Sequence, residues 1–396
     1  MITRRYSPQI GGAERAIERL AKGFVQRGHQ VTLATECRGA SYRKKGILSP
    51  VFKSSGKEKH TVHPVFLRTS QHRFWGTFLW IKEIRKLLRK DRNSVDIIYV
   101  SMLKHAAAAA LSIKSPTPVI LRSSGSSLTG DVAWQKSSFT GRMLASYCRQ
   151  AYSVIALSPQ IRQELIDWHY GPEKIRDITG GVPISVSAYD SGQVSERRKD
   201  LPITALRDCK GDLVTYVGRF SDEKGVKDLL ESWKTVIQVC PEASLLFIGE
   251  GPLRGYLEVE RNRQGWTSCV HVCGPVREVE PYLRASDLFV LPSHQEGVSN
   301  ALLEALGLGI GVVATEIPGN CVVAQNGIHV EMVLSKKPEE MAKGIIEMLN
   351  NPEKRRHMGM RSREHVRQNF SFDRVMDEHE SLFNQAISER AFRTSV

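Results

Sequence analysis

Leu288-Phe289-Val290-Leu291-Pro292-Ser293-His294-Gln295-Glu296-Gly297-Val298-Ser299-Asn300-Ala301-Leu302-Leu303-Glu304-Ala305-Leu306 runs from four apolar residues through a polar turn into a leucine-rich helical pattern. Four apolar residues bounded by turn signals have the length of a buried strand. Gly297 supplies the turn, and Ser299 or Asn300 supplies an oxygen to cap the helix that follows. The same alternation extends outward. Short apolar or β-branched runs recur at 213–217, 244–248, 270–272 and 311–314, and earlier at 30–35, 95–100, 118–121 and 153–157. Helical patterns stand at 13–27, 80–89, 106–111, 338–350 and 352–369, and 372–387 is amphipathic, with Val375, His379, Leu382 and Phe383 at helical spacing. Strands alternating with helices imply parallel α/β architecture, here two doubly wound domains in series.

The chain has 396 residues, enough for two domains that each bury a core, and its 41% hydrophobic and 25% charged residues exclude a disordered or fibrous chain. Its formal charge is +14, unevenly spread: residues 1–200 carry 33 Lys and Arg against 15 Asp and Glu, and residues 201–396 carry 23 against 27. The first half therefore faces something anionic, whether nucleic acid, a membrane surface or a phosphorylated substrate. Seven scattered cysteines with no C-x-x-C pair fit a reduced, cytoplasmic chain. Cys269-Val-His-Val-Cys273 puts three ligand types on one face of a strand with no fourth in sight, so no metal site is expected. No apolar run has the roughly 18–20 residues of a spanning helix, so any membrane contact is peripheral.

Three segments carry chemistry. Gly11-Gly12 precedes a helix whose N-terminal amides suit a phosphate, although such a pair also makes an ordinary turn. Val217-Gly218-Arg219-Phe220-Ser221-Asp222-Glu223-Lys224-Gly225 follows a strand end, and Arg219 and Lys224 either converge on a diphosphate or remain solvated. Glu304, a turn into its helix among leucines, needs hydroxyl donors, which ribose diols would supply; a buried structural carboxylate is the alternative.

Together these residues resemble the retaining glycosyltransferases of family four. The matching features are Glu296 and Glu304 in Glu-x7-Glu spacing, Gly218–Gly225, the Gly249-x-Gly251-Pro252 turn, and the run 283–292. The resemblance implies the GT-B fold, two Rossmann-like domains facing a central cleft. Residues 1–185 would form the acceptor-side domain, 186–205 a linker, 206–370 the nucleotide-sugar domain, and 371–396 a helix packing back toward the first domain. It further implies that Arg219 and Lys224 hold the donor diphosphate without a metal or other cofactor, and the sequence contains no Asp-x-Asp. Glu304 would bind ribose and Glu296 the donor sugar. Backbone amides at Val298, Ser299 and Asn300 would face the distal phosphate, Gly12 would close on it, and the backbone near Val276 would read the base. The implied reaction moves a hexosyl unit from a UDP-sugar or GDP-sugar to a glycan or lipid-linked acceptor with retention. A GT-B epimerase or phosphorylase is the alternative.

This sequence departs from the family at Ser101 and His105, at Ser124-Gly125, at Gly311 and at Val330, which leaves the sugar unspecified; Asp131 adds a polar group near the first two. Met1-Ile2-Thr3 offers fewer apolar residues than a central first strand needs, so that strand is expected to be short. Residues 38–92 hold most of the distinctive positive charge. Within them a helix sets Trp80, Ile81, Ile84, Leu87 and Leu88 against Lys82, Lys86, Arg89 and Lys90. It either lies on an anionic membrane, at the inner face, or packs on its own sheet. A dehydrogenase lacks its G-x-G-x-x-G, and no nucleic-acid-binding signature accompanies the basic half, so no nucleic acid partner is expected.

Overall fold

The computed structural model describes residues 1–4, 12–36, 62–67, 69, 73–90, 94–125, 130–185, 189–203, 206 and 209–395. The basic segment 38–61 and Gly11 lie outside the described residues. The chain divides into two compact units, Met1–Thr179 with Val375–Val396, and Gly180–Arg374.

The first unit contains β1 (Thr32–Glu36), β2 (His63–Leu67), β3 (Ile98–Ser101), β4 (Val119–Arg122), β5 (Ser153–Ala156) and β6 (Ile175–Asp177). Its helices are α1 (Gly12–Gln26), α2 (Arg73–Lys90), α3 (His105–Leu111), α4 (Asp131–Lys136), α5 (Phe139–Cys148) and α6 (Pro159–Asp167). All pairings are parallel, in two ladders, β1-β2 and β3-β4-β5-β6. Ile2 joins them: it bridges in parallel to Ala34 and to Val100. Four backbone bonds hold this splice, Ile2 N to Tyr99 O (2.8 Å), Ser101 N to Ile2 O (3.0 Å), Thr3 N to Ala34 O (3.0 Å) and Ala34 N to Met1 O (2.8 Å). With Ile2 in first place, the spatial order is the doubly wound one, extended at its far edge by β6.

Helix α2 starts seven residues earlier than its sequence pattern suggests. Trp80, Ile84 and Leu88 are buried, while Lys82, Lys86, Arg89 and Lys90 are exposed. Two aromatic residues outside the expected pattern, Trp75 and Phe78, are 57% and 54% exposed. Helical spacing puts both on the face that carries the lysines.

The second unit contains α7 (Val194–Lys199), β7 (Leu213–Val217), α8 (Val226–Val239), β8 (Ser244–Ile248), α9 (Arg254–Arg263), β9 (Val270–Cys273), α10 (Glu280–Arg284) and β10 (Leu288–Leu291). There follow α11 (Asn300–Leu308), β11 (Gly311–Thr315), α12 (Pro318–Cys321), β12 (Glu331–Val333), α13 (Pro338–Asn350), α14 (Pro352–Asn369) and the long α15 (Phe372–Ser395), most of which belongs to the first unit. The parallel sheet has the order β12-β11-β10-β7-β8-β9, which is the doubly wound order with its topological switch between β7 and β10. Both faces are covered, so its strands are continuous apolar runs: Leu213, Val214, Tyr216, Leu245, Leu246, Phe247, Leu288, Phe289 and Val290 are fully buried.

The expected linker at 186–205 differs in its described part. Residues 189–203 belong to the second unit, and α7 buries Arg198 at 3% exposure. Its guanidinium donates to the carbonyls of Ala285 (3.1 Å), Cys209 (3.1 Å) and Gly211 (2.8 Å) and pairs with Asp287. A buried guanidinium with a full set of acceptors has the same one-dimensional signature as a solvated one, which is why the charged run 196–200 read as a linker.

Candidate active site

In an open parallel sheet the loops leaving neighbouring strands at a topological switch diverge and leave a crevice. Here those loops are 218–225 after β7 and 292–299 after β10. The β7 loop is shaped by close backbone approach. A Cβ on Gly249 would overlap the Gly218 carbonyl, one on Gly251 would overlap Phe220, and one on Gly225, whose φ is +65°, would overlap the Pro292 carbonyl. The Tyr216 hydroxyl donates to Arg219 O (2.9 Å), and the 3₁₀ turn Asp222–Lys224 ends on Gly225.

Lys224 Nζ then donates to Glu296 Oε1 at 2.7 Å, and the Ser293 hydroxyl donates to the same oxygen at 2.8 Å. Glu296 is 9% exposed and Lys224 25%. Behind them the Thr315 hydroxyl donates to Ser293 O, Asn320 Nδ2 donates to Thr315 O (2.8 Å), and α12 approaches so closely that a Cβ on Gly319 would overlap Glu296 O. Burial pushes the Tyr216 phenol well up, with Glu296 and Glu223 adding to it. For Glu223, burial works upward, but the Ser221 hydroxyl, its own amide and the Lys224 and Arg219 charges together hold it below the usual carboxylate range.

Ser299 caps α11, its hydroxyl accepting Leu302 N at 3.3 Å, so the amides of that first turn open toward the same crevice edge. Val298 and Asn300 flank the cap, and Glu304 is half-buried in the second turn of α11. Arg219 is exposed on the β7 loop, and Val276 is half-buried in the loop leaving β9. The structure thus brings Lys224 and Glu296 into direct contact and sets Arg219, Val298, Ser299, Asn300, Glu304 and Val276 on loops and a helix at the carboxyl ends of this one sheet. Gly12 belongs to the first unit, where it opens α1.

Sequence reasoning did not single out Ser293, Asn320 or the pair His294 and Asp228. Asp228 stands four residues after Lys224, and that spacing was an available signal. In the first unit, Asp131 is 2% exposed and accepts Leu103 N (3.0 Å) and Ser124 N (2.9 Å), tying together the chain leaving β3 and β4, with Lys104 Nζ 3.7 Å away. Burial outweighs these partners and pushes its carboxyl up to about 6. His105 packs edge-on against Trp134, and its pKa is lowered by burial and by the Arg4 and Lys104 charges. Cys269 precedes β9, which carries His271 and Cys273; among the described residues no group of three His, Cys, Asp or Glu side chains that could hold a metal comes together.

Two family descriptions match in tandem, Glycosyltransferase Family 4 over residues 10–186 and Glycosyl transferases group 1 over residues 211–351. The chain belongs to the group 1 glycosyltransferases, and its fold is GT-B. The capsular polysaccharide biosynthesis glycosyltransferase CapM of Staphylococcus aureus is 25% identical over 257 residues, 62% of this chain and 64% of the relative. The match thus spans somewhat less than two thirds of that relative. An uncharacterized glycosyltransferase of Methanocaldococcus jannaschii is 23% identical over 402 residues, 98% of each chain. The structure of Anabaena Alr3699/HepE in complex with UDP and glucose superposes with a TM-score of 0.76 at 18% identity, covering 97% of this chain and 98% of the other.

Proposed function

We propose that the chain is a retaining, metal-independent transferase that moves a hexosyl unit from a UDP-sugar or GDP-sugar to a glycan or lipid-linked acceptor. The observation that carries this reading is the Lys224–Glu296 contact at the switch between β7 and β10, beside the capped N-terminus of α11. A cation, a carboxylate and a set of helix amides are there the complement of a sugar diphosphate: Lys224 and Arg219 take phosphate charge, the amides at Val298, Ser299 and Asn300 take the distal phosphate, and Glu296 accepts sugar hydroxyls. Glu304 takes ribose hydroxyls, and the backbone near Val276 the base. The UDP and glucose named for the Anabaena structure support a nucleotide-sugar donor.

In this reading the bond from the anomeric carbon to the phosphate oxygen breaks as the acceptor oxygen bonds to the same face of the sugar, and the acceptor's proton passes to the departing phosphate. The protein's part is to stabilise charge accumulating on the diphosphate, for which two fixed cations and helix amides suffice. Glu296 orients the sugar and forms no covalent bond.

The acceptor side is assigned to the basic first unit. The exposed face of α2, with Trp75 and Phe78 beside Lys82, Lys86, Arg89 and Lys90, suits peripheral contact with an anionic membrane carrying the acceptor. No helix among the described residues is long and apolar enough to cross a membrane.

The deciding experiment incubates the chain with UDP-, GDP- and ADP-hexoses and lipid-linked or glycan acceptors in the presence of EDTA. Acceptor-dependent release of free nucleoside diphosphate supports the reading. Nucleotide-sugar converted without acceptor would indicate an epimerase, and dependence on free phosphate a phosphorylase.

A further inference from the structure

Two side-chain cross-links, beside a backbone one, join the loops that form the crevice, and the proposed reaction uses only one of the two. Lys224 reaches Glu296; four residues further along, Asp228 in the first turn of α8 accepts from His294, two residues before Glu296, with Nε2 to Oδ2 at 2.7 Å. A carboxylate has no proton to give, so the imidazole Nε2 carries the hydrogen. His294 is further fixed by its own amide, which donates to Glu223 O at 2.9 Å, and Gly225, in the left-handed conformation, lets the turn lie against Pro292 and the imidazole.

We propose that His294 and Asp228 are positioning residues: they hold the Lys224 turn and the Glu296 loop at a fixed spacing, independently of the Lys224–Glu296 ion pair. The inference rests on the donor-site reading above and deepens it. A diphosphate entering the crevice competes with Glu296 for the Lys224 ammonium. Once that ion pair is drawn apart, the side-chain tie between the two loops is the imidazole–carboxylate bond. With it, Lys224 stays within reach of the phosphate; without it, the His294 N to Glu223 O backbone bond remains but the turn is held less firmly, and so is the cation.

The surroundings fit a geometric role. Both side chains line a groove of about 430 Å³ together with Asp222, Glu223, Lys227 and Lys336, and they are 21% and 25% exposed. A part-exposed pair contributes little to global stability, so removing it leaves the fold standing and loosens the loops alone.

The test measures binding of UDP, GDP and ADP to the wild-type chain by calorimetry and carries the tightest forward, with its parent nucleoside as the control lacking phosphate. His294→Ala and Asp228→Ala are each expected to weaken the nucleoside diphosphate about 5–10-fold while leaving the nucleoside unchanged. The double variant should be no weaker than either single one, and Asp228→Asn, whose amide oxygen still accepts from the imidazole, should stay within about 2-fold of wild type. Lys224→Ala weakens the diphosphate by more than 10-fold if the donor site is right. Wild-type binding in His294→Ala and Asp228→Ala alongside a weakened Lys224→Ala overturns the positioning role and leaves the donor site intact. Wild-type binding in Lys224→Ala overturns the donor site and this inference with it. Equal loss of nucleoside and diphosphate also overturns it, because a purely structural role predicts that pattern. Should His294→Ala fail to fold, the contrast between Asp228→Ala and Asp228→Asn decides alone.

Discussion

Lys224 Nζ and Glu296 Oε1 stand 2.7 Å apart, so the cation assigned to the phosphate and the carboxylate assigned to the sugar neutralise one another before any donor arrives. The pair keeps a largely buried carboxylate, which also accepts from the Ser293 hydroxyl, next to a cation. Binding a donor exchanges one set of charge partners for another and leaves neither group stranded.

Replacing Lys224 by Ala or Glu304 by Gln is expected to lower transfer by at least about 100-fold, the scale for losing a transition-state charge partner; Lys224→Ala should also lower the melting temperature, because it strips the cation from the largely buried Glu296. Steady-state kinetics on the acceptor-dependent release of nucleoside diphosphate checks this. Near-normal turnover in both variants would refute the site.

Gly249→Ala places a methyl group against the Gly218 carbonyl at a φ of +150°. The loop carrying Arg219 has no room to retreat, because the Gly251 backbone presses on Phe220 from the same turn. A loss of about 3 kcal/mol is expected from strain at such a position, read from the urea midpoint. An unchanged midpoint contradicts the close approach.

The buried Arg198 offers a sharper stability test than any surface pair. Arg198→Ala takes the guanidinium from Asp287, which keeps the Leu213 amide, and from three carbonyls, and about 3–5 kcal/mol should be lost. If the segment 189–203 were an independent linker, the same change would cost almost nothing.

Acid titration separates two buried groups of the first unit. Burial brings His379 down to about 4, below its ordinary 6.5, so the folded state binds fewer protons than the unfolded chain. Its contribution is complete above pH 6.5 and is lost as the pH falls toward 4. Asp131, pushed up to about 6, works the other way: the folded state binds more protons, and stability falls as the pH rises from about 4 to 6. Each effect is worth roughly 3 kcal/mol at most. Asp131→Asn keeps an acceptor for Leu103 N and Ser124 N, so its stability relative to wild type should improve between pH 4 and 7. His379→Gln should improve relative to wild type between pH 7 and 4. Thermal melts across that range check both signs.

For the exposed face of α2, Lys82→Glu with Lys86→Glu should weaken binding to phosphatidylglycerol vesicles by more than about 10-fold, on the scale of about 1 kcal/mol per surface charge. Trp75→Ser with Phe78→Ser should weaken it without altering its dependence on salt. Equal sedimentation of wild type with neutral and anionic vesicles would remove the membrane assignment.

The sequence was most legible where burial is complete. β7, β8 and β10 occupy the expected residues, as do α13 and α14, because a strand covered on both faces must be an uninterrupted apolar run and those helices start at Pro338 and Pro352. β2, β6 and β12 were missed: their burial is graded or falls away along the strand, as suits short outer strands, and His63-Pro64, Arg176-Asp177 and Glu331 carry no apolar signature. Trp75 and Phe78 were missed because they lie before the 80–89 pattern, in the first turns of a helix that begins at Arg73. At the site, Glu296 and Lys224 were visible as a motif. Their contact was not, because it depends on which loops flank the switch of the sheet, and strand order is absent from a linear pattern.

Ile2 carries a consequence of another kind. Its pairing with Ala34 and Val100 closes a seam one residue wide between the β1-β2 and β3-β6 ladders. If Met1–Thr3 peels away, β1 and β3 each lose their neighbour in one event, and two rows of unpaired backbone donors and acceptors come into the open. Such rows are templates for pairing with other chains. The first unit's resistance to aggregation therefore rests on the seam that Ile2 closes, and Ile2→Pro, which removes the amide bonded to Tyr99 O, should show as turbidity before it shows as lost activity.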